Sequence, residues 1–514
     1  MKKAFGLAFM LAAVCAAGLA EGAGRQEITE TSMEVSTQGP TAAEMLAQQL
    51  DLHEALVREL PAGALNRKLA VHITDAEAGD LRLAMETKAS PFKVGVVKSL
   101  GHPISFAGGR LSRSPEPFGG GTLQATEDGG FVWAVTVSSA GATGIRLHFD
   151  KTDLPADADL YIMNMAGQAF GPYQRQGPNG TGEFWSNTVS GDTAVVVLRH
   201  WGPQGAADLH RTSFRIEDVG HVGPGFPAGP TPSEQAFCSF NEACVENASC
   251  HNVAAANPAK SAVALMQWIS GQFIFTCTGG LLADTVSTSE IPYFLTANHC
   301  LSSNSTAQNL ETYFQFSISC NSTNCPAQTN PGGIQRLGAT VKATGSAGDF
   351  TLLQLNQTPP AGSVFLGWNN TAIANTNNAA LHRISHPAWA PQAYSAHHVD
   401  TSAPTCQGWP RGERIYSRDD VGATEGGSSG SPVVNGSSQV VGQLSGGCGF
   451  NVGDVCDNVS NATVDGALAF YYSSVAPFLD PGTGGCGASG SSCTSNGQCC
   501  SNKCTGPKNN KRCR

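Results

Sequence analysis

The chain has 514 residues, 41 % of them hydrophobic, and its 30 Lys and Arg against 40 Asp and Glu leave a net charge of −10. That length supports two to four domains with ordinary cores. The acidic balance argues against a general nucleic-acid binder, which needs clustered Lys and Arg to meet phosphates.

Lys2 and Lys3 followed by the apolar run Ala4 to Leu19 read as a secretory signal over residues 1–20, so the protein is expected to be secreted. Cys15 raises the alternative of a lipoprotein signal, but Val14 before it is larger than such a site wants. The run is too short to span a bilayer, and no later segment is long and apolar enough to do so. Of the 17 cysteines, all but Cys15 lie beyond the signal, and sixteen is an even number that fits a disulfide framework in an oxidising compartment. Zinc is the competing use of cysteine. No Cys-x-x-Cys pair occurs, and His382, His386, His397 and His398 have no cysteines at finger spacing, so no metal and no cofactor is expected.

Residues 21–237 read as a propeptide. Its start is polar and rich in Ala, Gln and Glu, with a helix expected over Thr41 to Leu60. From about 80 to 220 the pattern becomes short alternating strands, such as Phe131 to Val137 and Thr193 to Leu198, broken by Gly, Pro, Asn and Asp turns. This is a β-sandwich signature, which also fits a permanent carbohydrate- or protein-binding module. Gly220 to Gln235, with Pro224, Pro227, Pro230 and Pro232, is an exposed linker by composition and the expected region of maturation cleavage.

Residues 238–480 carry the chemistry. Ser429 stands in Gly427-Ser428-Ser429-Gly430-Ser431-Pro432, His299 in Thr296-Ala297-Asn298-His299-Cys300, and Asp349 heads Phe350-Thr351-Leu352-Leu353. A serine hydroxyl is a weak nucleophile and needs an imidazole to take its proton. The imidazole in turn needs a carboxylate to fix its tautomer and stabilise its cation. His, Asp and Ser follow one another in the order that chymotrypsin-type proteases use. The N–H groups of Gly427 and Ser429 are the expected oxyanion hole.

On these residues the stretch from Cys238 to Pro481 resembles the bacterial lysyl endopeptidases, a branch of the trypsin/chymotrypsin superfamily. The resemblance also rests on Cys238 and Cys244, Thr276 to Leu281, Tyr293 to Cys300, Thr424 to Pro432 and Val441 to Leu444. It implies a mostly β fold: a chymotrypsin-like double β-barrel after the sandwich-like pro-region. It also implies the triad His299, Asp349 and Ser429, polypeptide substrates, and a Cys277–Cys300 bridge as in the chymotrypsin family. Cys238 is expected to reach Cys448 or Cys456, and Cys244 to reach Cys320 or Cys325. Ala423, six before the nucleophile, stands where trypsin has its selecting acid, so the usual determinant is missing. Lysyl endopeptidases draw their acid from the segment entering the last strand, where Asp465 is the only carboxylate. It directly precedes Gly466, which departs from the family's spacing, and Ser445 replaces a family histidine. Lys or Arg preference at P1 stands against small apolar or acidic preference. Glu425, which the family shares, reads as structural.

Residues 481–485 read as a second linker, and the tail 486–514 as a separate unit with cysteines spaced C-x6-C-x5-C-C-x3-C-x8-C. So small a unit depends on disulfides for its stability. It resembles a knottin, which implies Cys486–Cys500, Cys493–Cys504 and Cys499–Cys513. Five cations, Lys503, Lys508, Lys511, Arg512 and Arg514, and no acids fit either an anionic surface or a solvated face. The expected protein is a monomeric secreted serine endopeptidase. The alternatives are a binding protein with an inert protease-like domain and a serine esterase.

Overall fold

The computed structural model describes residues 29–30, 33–87, 89–223, 238, 240–286, 289–322, 325, 333–481, 493, 504–507 and 511–513. The signal segment, most of the Pro-rich linker, the second linker, and Cys486, Cys499 and Cys500 with their two expected bridges lie outside the described residues.

In the N-terminal portion, the short strands Thr29–Glu30 and Glu34–Val35 precede the helix Ala42–Glu59. Thr41 and Glu44 form a capping box that satisfies backbone donors of the first turn. Leu60, in extended geometry, ends the helix before Pro61, whose ring disfavours a helical residue ahead of it. Strands Phe131–Ser139, Ala158–Met163 and Thr193–His200 form one antiparallel sheet, and Phe92–Ala107, Gly144–Asp153 and Ser213–Val222 belong to another. Between them lie Phe106, Phe131, Trp133, Leu147, Phe149, Val196, Leu198 and Phe214, the sandwich core. Val132, Ala134, Val195 and Val197 point to the opposite face, where Leu56 of the helix covers them. Thr193 to Leu198, expected to alternate, is instead apolar at every position after Thr193, because both faces of this strand are covered.

The described residues between 238 and 480 form two β-barrels. The first contains Val263–Ser270, Phe273–Leu282, Tyr293–Ala297 and Phe350–Leu355. The second contains Ala380–Ser385, Ala393–Val399, Arg414–Val421, Pro432–Asn435, Val440–Gly449 and Asn461–Ala467, followed by the helix Leu468–Leu479. The sandwich is joined to the first barrel by backbone pairing. Phe92–Ala107 runs antiparallel to Phe273–Leu282, with Phe92 opposite Thr276 and Val96 opposite Phe273. Sandwich and barrel strands therefore share one twelve-stranded sheet.

Cys277 bonds Cys300, tying the loop of His299 to the barrel wall. Cys238 bonds Cys325 and Cys244 bonds Cys456, which reverses the expected partners of these two cysteines. The physical reason is chain direction: Asn241 and Glu242 are pinned to Glu425, and this orients the segment so that its ends face opposite loops. Cys250–Cys320, Cys406–Cys448 and, in the tail, Cys493–Cys504 complete the bridges among the described residues. No helix among them is long and apolar enough to cross a membrane.

Replacing Cys277 and Cys300 together by Ser is expected to lower stability by about 2–5 kcal/mol. Urea denaturation measures this, and an unchanged midpoint would show that the bridge contributes nothing.

Candidate active site

Strands Tyr293–Ala297 and Phe350–Leu355 pair antiparallel with Ala297 opposite Phe350, so the residues just beyond their adjoining ends, His299 and Asp349, meet. Asp349 accepts from the His299 N–H through Oδ1 at 2.9 Å and contacts His299 Nδ1 through Oδ2 at 2.8 Å. Two bonds from one carboxylate fix both the loop and the ring. Asp349 has φ +51°, a conformation costly for a side-chain-bearing residue. Gln443 supports it, donating to the Gly348 carbonyl at 3.0 Å and the Asp349 carbonyl at 2.8 Å. Tyr471 donates to Gln443 and stacks on Phe350 at 4.2 Å. Burial holds the Tyr471 hydroxyl well above its ordinary pKa, which keeps it a donor.

Ser429 comes from the second barrel on a tight turn. Gly427 has φ +98°, and a Cβ there would lie 2.9 Å from the His386 carbonyl oxygen, so only glycine fits. The first barrel grips this turn through Thr278, whose N–H donates to the Ser429 carbonyl at 2.8 Å and whose hydroxyl donates to the Gly427 carbonyl at 2.8 Å. The N–H groups of Gly427 and Ser429 bond no other described residue.

A residue that sequence reasoning did not single out completes the centre. Ser90 Oγ of the pro-region lies 2.6 Å from Ser429 Oγ and 3.0 Å from His299 Nε2, bridging the two. Glu86, Thr87 and Ser90 line one wall of a cavity of about 330 Å³, and Thr424, Gly426, Ser429, Gly446 and Thr463 are among the residues of the others. The neighbouring trio Cys277, His299 and Cys300 is no metal centre, because both sulfurs are bonded to each other and offer no thiolate.

Asp465 is not brought to this centre. Its carboxylate is fully buried and paired with the equally buried Arg383 at 2.5 Å, so its charge is already neutralised. Arg383 also donates to the carbonyl and hydroxyl of Ser431, which places the pair beneath the Ser429 turn. Ser445 is buried, and its hydroxyl has no partner among the described residues. Ala423 is buried too. Glu425 accepts from Asn241 and the Glu242 N–H. No local sequence pattern marks Ser90 or Tyr471, and none assigns a role to Gln443 within the stretch Val441 to Leu444, since each acts through a contact across more than 25 positions of chain.

Two barrels with a histidine, an aspartate and a glycine-flanked serine gathered where they meet define a chymotrypsin-type serine protease. The family model for the lysyl endopeptidase C-terminal domain matches residues 236–464. The lysyl endopeptidase of Pseudomonas aeruginosa is 30 % identical over 344 residues, 63 % of this chain and 70 % of that protein. The chain belongs to the lysyl endopeptidase family, and it is a serine endopeptidase. Among solved structures, a protease of M. tuberculosis H37Rv in an inactive form aligns at 14 % identity and TM-score 0.30, over 46 % of this chain and 96 % of that one. The HtrA-type protease AlgW with tripeptide aligns at 13 % and 0.32, over 44 % and 63 %. No conclusion rests on either.

Asp465→Ala is expected to cost about 3–5 kcal/mol of stability by leaving Arg383 buried and unpaired. Denaturant midpoints measure this. The ratio of cleavage after lysine to cleavage after neutral residues should not change; its loss in folded enzyme would make Asp465 the specificity acid after all.

Proposed function

We propose that the chain is a secreted protease made in a latent form, in which His299 takes the proton of Ser429 as it attacks a peptide carbonyl. Asp349 holds the ring and stabilises the imidazolium that forms, and the N–H groups of Gly427 and Ser429 receive the oxyanion. The observation that carries this reading is the position of Ser90. One hydroxyl sits within hydrogen-bond reach of both the base and the nucleophile, where an attacking water or a leaving group would stand during turnover. The same contact supports the pro-region's role, because Ser90 occupies the centre and the strand after it is paired to the barrel.

The surface between sandwich and protease suits a partner that leaves. Glu311 of the first barrel is fully buried, accepting from the Asn187 side chain, the Thr188 N–H and the Thr188 hydroxyl, with Arg146 at 3.5 Å. Gln267 and Gln335 also bond Thr188. Such polar groups can regain water on separation, whereas a purely apolar seam would leave an exposed patch. The bridges among the described residues support an oxidising compartment, hence secretion.

The relative's name and the acid-lined cavity beside Ser429 support a basic P1 residue in the substrate. No Lys or Arg occurs between Arg215 and Lys260. An enzyme of that preference has no site in the Pro-rich linker, so a second protease releases the domain there or the first cut falls upstream. Arg215 lies in a sandwich strand and is paired with Asp150 and Glu217, while Arg211 is 75 % exposed. Of the two basic residues nearest the linker, Arg211, which pairs with Asp208, is the more accessible.

A fluorophosphonate is expected to label Ser429 in the wild type, and Ser429→Ala is expected to lower kcat/KM by on the order of 10⁴–10⁶ with the fold intact. Labelling of the uncut chain should be at least about tenfold slower than that of the matured chain. Substantial cleavage by Ser429→Ala would overturn the triad, and equal labelling rates would overturn latency.

A further inference from the structure

We infer that Asp419 is the residue that recognises the basic side chain of the substrate; this rests on the basic P1 preference proposed above. The cavity that opens at Ser429 is walled by Thr424 to Gly426 on one side and by Gly446 and Gly447 on another, where missing side chains leave the space. Among the described residues that line it there is no Lys or Arg, and the protease contributes four acids: Glu242, Asp419, Glu425 and Asp457.

These acids differ in what already holds them. Asp457 is tied to its own loop, accepting from the N–H groups of Val459 and Ser460 and from the Asn451 amide. Glu425 accepts from Asn241 and from the N–H of Glu242, which anchors the start of the protease segment. Asp419 is arranged otherwise. Its side chain is only 13 % exposed, and both side-chain hydrogen bonds fall on Oδ1, from His397 Nδ1 at 2.6 Å and the Thr463 hydroxyl at 2.7 Å. Oδ2 bonds no other described residue. His397 is itself fixed through Nε2 by Ser395 at 2.8 Å. Burial opposes the Asp419 charge, but His397 and Thr463 outweigh it and hold the carboxyl below its ordinary pKa.

An oriented carboxylate with one oxygen uncommitted gives an incoming ammonium or guanidinium a charge-assisted hydrogen bond. A neutral side chain in the same cavity displaces water and returns nothing to that oxygen, so it is rejected. Asp465, the only acid in the segment entering the last strand, has its charge matched by Arg383 and does not compete for the substrate's cation.

The full-length chain is expressed, the active form purified, and kcat/KM compared on peptides that differ only by lysine or norleucine at P1. Asp419→Asn is expected to lower the lysine-to-norleucine ratio at least about tenfold, with an undiminished count of fluorophosphonate-reactive sites, while Asp457→Asn leaves the ratio within about threefold of wild type. Thr463→Val keeps the charge but loses an orienting bond, so a smaller fall is expected; it serves if Asp419→Asn does not fold. A wild type selective for lysine whose ratio is unmoved by Asp419→Asn, or by Thr463→Val in its place, overturns this assignment and leaves the protease reading intact. A wild type that cleaves peptides but shows no lysine preference overturns it together with the basic P1 reading.

Discussion

The strand Phe273–Leu282 is the constraint on which the rest of the structure depends. One edge pairs with Val263–Ser270, and the opposite edge takes the pro-region strand at its start and Tyr293–Ala297 at its end. Its Cys277 is bonded to Cys300 beside His299, and its Thr278 holds both ends of the turn that carries Ser429. Base, nucleophile and pro-segment are thus indexed to a single rod of backbone. Because side chains alternate at fixed spacing along a strand, a slip of one residue here would misplace all three together.

Polar groups buried where the two barrels meet give the centre its definition. Gln443 is fully buried, yet it spans from the second barrel to the carbonyls of Gly348 and Asp349 in the first, with Tyr471 behind it. An apolar junction would stabilise the fold as well, but it would not specify the register of one barrel on the other, whereas a donor that must find its acceptor does. Arg383 and Asp465 act similarly under the Ser429 turn. Taking two charges out of water is costly, and Arg383 recovers part of that by also holding Ser431. Asp419 differs from Asp465 in where its uncommitted oxygen stands: both carboxylates leave Oδ2 unbonded among the described residues, but Asp465 is enclosed with Arg383 whereas Asp419 lines the cavity at Ser429.

The sandwich portion meets the first barrel through the most general protein contact, backbone pairing, and adds the Ser90 hydroxyl between His299 and Ser429. Strand pairing is made by backbone groups and is largely indifferent to side chains. The side-chain-specific contacts between sandwich and barrel lie elsewhere, where Arg146, Asn187 and Thr188 surround Glu311.

The sequence by itself determined the β-rich architecture, a helix over Thr41 to Leu60, and the order of His299, Asp349 and Ser429. Each is local: alternation and turn chemistry act over a few residues, and catalytic residue types are restricted by the reaction. Only the tertiary structure decided the partners of Cys238 and Cys244, which depend on the direction in which a segment crosses the molecule. It also decided that Asp465 faces Arg383 and that Asp419, 46 positions earlier, faces the cavity. A carboxylate's role is set by the charge and the water around it, and those come from strands that the chain brings together only after it folds.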